Sequence, residues 1–99
     1  RADIDRTSLG RSPCSIQPTV ASILAEASDE SGVSSVVLRW RDPAGAAGSR
    51  ALAAGGDGTW SGRLGSFGTA GAVTWWVEAT DSLGNTGRTA NQTIPVNPC

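Results

Sequence analysis

Two stretches of this chain decide its fold class before any other feature is weighed. "VSSVVLRWR" (33–41) sets Val36, Leu38 and Trp40 on one face and Ser35, Val37, Arg39 and Arg41 on the other. "AVTWWVEAT" (72–80) does the same with Val73, Trp75, Val77 and Ala79 on one side. Period-two alternation is what a half-buried strand requires, because successive side chains leave the backbone on opposite sides. No stretch repeats at helical spacing over two turns. Between the alternating runs lie "DPAGAAGS", "GGDG" and "GSFGTAG", whose Gly and Pro allow the chain to reverse. Further strand-forming runs cover 19–27, 49–54, 58–64 and 86–96, with Pro95 tolerable only on an edge or at a strand end. Short strands punctuated by Gly-rich turns argue for an all-β sandwich.

The chain has 99 residues, enough for one domain with a modest core. Residues 1–13, "RADIDRTSLGRSP", read as a linker or frayed N-terminal segment, and 14–99 as the sandwich. Net charge is -1, so no basic patch favours nucleic acid. No apolar run approaches the ~20 residues of a membrane span, so this segment is not expected to insert. With no histidine, neither a Ser-His-Asp nor a Cys-His arrangement can be assembled, and a zinc site lacks ligands. No carboxylate pair stands out at a spacing suited to acid–base work. The composition therefore predicts a protein that is not an enzyme and uses no cofactor and no dedicated metal. The absence of methionine suggests a mature or excised piece, and the Arg, Ala and Gly bias a GC-rich bacterial origin.

"WVEATDSLGN" (76–85) resembles the last-hairpin signature of bacterial immunoglobulin-like and fibronectin type III-like domains. "ASDESGVSSVVLRW" and "GTWSGRLG" look like earlier strands of the same modules, so the likeness covers about residues 16–96. It implies an immunoglobulin-like antiparallel β-sandwich of about seven strands in Greek-key order, with the first strand short or absent. It also implies an extracytoplasmic spacer, adhesion or ligand-sensing role, although this architecture hosts many unrelated functions. Residues Ala25 or Ala27 and Trp75 stand where antibody domains carry a cysteine pair, so tryptophan packing is expected to replace that bridge.

Within that topology, pairing 33–41 with 72–80 opposes Val36 to Val77, Leu38 to Trp75 and Trp40 to Val73, and 72–80 with 86–96 opposes Glu78 to Arg88. Two near-copies of one phrase, "EASDESG" (26–32) and "EATDSLG" (78–84), then become two turns at one pole. Their Asp residues are expected to accept backbone N–H bonds inside each turn. Asp29, Glu30, Asp57 and Asp81, with Asn85, would form an acidic pole; weak Ca²⁺ binding is the alternative, against which no loop has one-three-five carboxylate spacing.

Two cysteines near the ends of an all-β domain suggest a Cys14–Cys99 disulfide and an oxidising compartment, with free cytoplasmic thiols as the alternative. Such closure is worth roughly 4.6 kcal/mol in the chain-entropy model. Trp40 and Trp60 read as core. Trp76 faces away from Trp75, with Val37 and Ala90 beside it and Arg39 and Arg88 at the diagonals. That surface is either a Trp covered by Arg stems or a contact patch for a protein or cell-wall glycan partner. The resulting expectation is a monomeric, non-catalytic module of a larger bacterial envelope or secreted protein. A ligand-sensing outer domain of a membrane-anchored signalling protein and a carbohydrate-binding accessory module are its rivals.

Overall fold

The computed structural model describes residues 2–27 and 32–99. Asp29 and Glu30 lie outside the described residues. Strand geometry arises wherever apolar and polar residues alternate, and the described residues contain ten strand segments and no helix. These are β1 (Ala2–Ile4), β2 (Leu9–Gly10), β3 (Val20–Glu26), β4 (Val33–Arg41), β5 (Ala47–Ala51), β6 (Ala53–Ala54), β7 (Thr59–Gly65), β8 (Gly71–Asp81), β9 (Thr86–Arg88) and β10 (Gln92–Asn97). They form two packed sheets. One has the order β1-β3-β7-β6; the other runs β2-β10-β8-β4-β5, with β9 also paired to β8.

The period-two faces meet in the middle. Ala21, Ile23 and Ala25 of β3 and Leu64 of β7 bury against Val36, Leu38, Val73, Trp75, Val77, Ile94 and Val96 of the other sheet. Trp75 has no exposed surface. Trp40 and Trp60 are half-buried and pack on the margin of this core. At roughly 25 cal/mol per Å², removing such faces from water is the main favourable contribution to the fold.

The faces are as the alternation requires, but the register between β4 and β8 differs from the expected one by two residues. Val36 opposes Ala79, Leu38 opposes Val77, and Trp40 opposes Trp75. A two-residue slide keeps every inward residue inward, so hydrophobic pattern alone cannot detect it. At the start of this pairing an irregularity between Val33 and Ser35 inserts one extra residue into β4, and there the Ser34 hydroxyl donates to the carbonyls of Thr80 and Asp81.

Other departures have one cause, which is that short strands leave little periodicity to read. The segment before Cys14 is paired to both sheets: β1 lies antiparallel on β3, and β2 lies parallel to β10. Leu9 is fully buried there. The run at 49–54 is divided at Leu52, so β5 pairs β4 while β6 pairs β7 in the other sheet. The last run is interrupted between β9 and β10, which pair successive parts of β8.

These pairings define two poles. The ends of β3 and β8 and the starts of β4, β7 and β9 gather at the turn pole, where Val33 opposes Asp81 and Glu26 opposes Thr59. Backbone bonds from Ala27 to Gly58 and from Ser82 to Gly32, each 3.0 Å, knit its turns. At the other end β10 finishes beside β2, and Cys14 and Cys99 are joined in a disulfide with Cα atoms 5.6 Å apart. That end is the bridge pole.

Candidate interaction surface

Trp76 follows the buried Trp75 and therefore projects from the outer face of its sheet. It is half-buried. The register sets Arg39 directly opposite it, and Val37 opposite Glu78. Arg39 is thus the neighbour where Val37 was expected, and Ala90 falls in the gap between β9 and β10. Both differences follow from the two-residue slide and the interrupted last strand.

The surroundings of Trp76 are closed by polar contacts. Its indole Nε1–H donates to Glu78 Oε2 at 2.8 Å, and Arg39 Nε meets Glu78 Oε1 at 2.9 Å. Alternate residues of a strand share a face, so Trp76 and Glu78 are natural partners. Arg88 opposes Glu78 in register, yet its guanidinium lies over the Trp76 ring, 4.6 Å from the centroid. Arg88 is held there by hydrogen bonds to the Thr89 carbonyl and the Asn91 side chain. The indole bond, the Arg39 contact and the charges of Arg39 and Arg88 hold the Glu78 carboxyl below its ordinary range. The patch is internally satisfied: ring, carboxylate and both guanidinium groups already have partners. Glu78 and Asn91, absent from the expected surface, complete it.

At the turn pole, Asp81 accepts backbone N–H groups from Leu83 at 2.9 Å and Asn85 at 2.8 Å, and the Asn85 side-chain amide at 3.2 Å. The Asn85 N–H bond is the first cause of its depressed pKa. Gly84, with φ of 90°, supplies the left-handed residue that closes this turn. Asp57 behaves similarly in its own turn, accepting the hydroxyl and backbone N–H of Thr59, which lower its pKa. Each carboxylate serves its own loop, and among the described residues no three His, Cys, Asp or Glu side chains gather as a metal cluster.

Beside these turns a cleft of about 490 Å³ opens between the sheets. Ala25, Val33, Val77 and Ala79 give it an apolar lining, and Thr80, Thr86, Thr89 and Arg88 a polar one. The Thr80 and Thr86 hydroxyls bond each other at 3.0 Å. Sequence reasoning missed this cleft, although small Ala and Gly87 positions opposite one another are its signal. No polar or charged residue is buried among the described residues. No protein-family model matches the chain, and no curated protein and no solved structure matches it either.

Proposed function

We propose that this domain is a non-catalytic, extracytoplasmic immunoglobulin-like module that acts as a spacer or protein-interaction unit of a larger bacterial envelope or secreted protein. The observation that carries the reading is the path of the chain. β1 enters at the turn pole, where Ala2 opposes Ala25, and β10 leaves at the bridge pole. The body between them is elongated, with extents of 45 × 24 × 16 Å. A module entered at one end and left at the other adds its full length to whatever it joins.

Further features support the reading. Each end offers one bare aliphatic side chain, Leu83 at 77% exposure in the β8–β9 turn and Ile16 at 81% near the bridge, suited to packing against a neighbouring module. Acid–base chemistry favours titratable groups shifted by burial; here the shifted carboxylates, exposed Asp57 and half-buried Glu78 and Asp81, are lowered first by hydrogen bonds and serve turns or a surface ion pair. The disulfide suits an oxidising compartment. Greek-key order is supported by β1 on β3 and by β10, β8, β4 and β5 side by side.

The test is replacement in the parent protein. An unrelated rigid module of similar length should preserve the parent's activity, whereas restoration by this domain alone would refute the spacer role. The cleft at the turn pole favours ligand sensing as a second reading. A ligand that protects Thr86 and Thr89 from amide exchange would establish it.

A further inference from the structure

The bridge has a mechanical consequence that rests on the spacer reading. Tension between flanking modules enters before β1 and leaves after Cys99. Cys99 is covalently attached to Cys14. The shortest covalent route through the domain is therefore Arg1 to Cys14, across the two sulfurs, to Cys99. Residues 15–98, which contain β3 to β10 and all of the core except Leu9, form a closed loop beside that route.

We propose that the domain is a fixed-length strut whose body, β3 to β10, is shunted out of the load path by the Cys14–Cys99 bond. The residues on the direct route are those that link the poles: β1 pairs with β3 from Ala2↔Ala25 to Ile4↔Ile23, and β2 reaches β10 at Leu9 and Gly10. Drawn straight at ~3.5 Å per residue, Arg1 to Cys14 reaches about 50 Å. The long axis of the folded body is already 45 Å. Peeling β1 and β2 away can thus lengthen the strut by no more than a few tens of ångströms. A chain without the bridge, by contrast, would unravel to about 350 Å. The core stays folded because load bypasses it, whatever the strength of its strand pairs.

Optical tweezers on the full chain, with handles joined by peptide tags before Arg1 and after Cys99, read this directly. The oxidised protein is expected to show no unfolding step longer than a few tens of ångströms. Dithiothreitol added under load reduces the bond to two thiols, itself becoming the cyclic disulfide, and should then release steps of about 300 Å. The Cys14→Ser/Cys99→Ser variant should give the same long steps without reductant, and a variant that fails to fold leaves the reduction experiment to decide. Long steps in the oxidised protein would overturn the proposal. So would an unchanged length after reduction, with both thiols shown to be free, because the sheets rather than the bond would then set the length. These outcomes are independent of module replacement in the parent protein, which tests the spacer reading by itself.

Discussion

Replacing Glu78 by Gln isolates the charge that organises the Trp76 patch. The amide keeps the shape and can still accept the indole N–H, but it cannot pair with Arg39 as an ion. A solvent-screened ion pair is worth about 0.2–1 kcal/mol, and the Glu78 side chain is 24% exposed against 43% for Arg39. Losing the charge assistance of the indole bond removes roughly 0.5 kcal/mol more. The variant should therefore be about 1 kcal/mol less stable at neutral pH, a fall in Tm of roughly 4–8 °C for a domain of this size. The pH dependence follows from the direction of the shift. The folded-state pKa lies below the ordinary 4.5, so the contribution is complete above that value and disappears as pH falls through the depressed one. Protonated Glu resembles Gln, so the wild-type and variant curves should converge in acid. Urea titrations of both proteins from neutral pH to below pH ~3 measure the gap. A gap that persists unchanged in acid, or no gap at neutral pH, would refute the assignment.

Trp75→Ala should cost about 3–5 kcal/mol as a core truncation, because Trp75 is fully buried. Trp76→Ala should cost clearly less, and equal losses in calorimetry would mean that the faces of β8 are wrongly assigned. Asp81→Ala should lower Tm by a few degrees through its lost turn bonds. Because its pKa is depressed, that contribution should also vanish as pH falls below the ordinary carboxylate range. Millimolar Ca²⁺ should leave the wild-type Tm unchanged; a rise would point to a cation site instead. Gly48→Ala would place a methyl 2.4–2.6 Å from Trp40 ring atoms, displacing the ring from Phe67 and Arg50. Denaturant melting should report a loss of about 1–3 kcal/mol; a neutral substitution would show that Trp40 does not sit over Gly48.

The sequence and the structure agree where the signal is periodic. Val36, Leu38, Val73, Trp75 and Val77 face inward because alternation along a long strand admits only one buried face. Register is a different quantity. The slide that sets Arg39 beside Trp76 conserves every face, so alternation cannot report it, and the one-residue irregularity around Ser34 leaves no mark in composition. Leu9, Leu52 and Phe67 join the core from short or loop segments, where one large apolar residue between Ser, Gly or Ala neighbours carries no period. Arg39 and Arg88 could be placed near Trp76 from strand facing. Which of them stacks and which pairs with Glu78 depends on the register and on the bonds that hold Arg88. The bridge was the most legible element of all, since two cysteines allow one pairing.

Both the proposed oxidising home and the proposed fixed-length strut depend on that pairing, so mapping the cysteines is the most direct test. Protein purified without reductant should have an intact mass lower than the thiol form by two hydrogen atoms. Its non-reducing tryptic digest should contain the peptide bearing Cys14 linked to the one bearing Cys99. Two free thiols that alkylate readily in the folded protein would contradict the account.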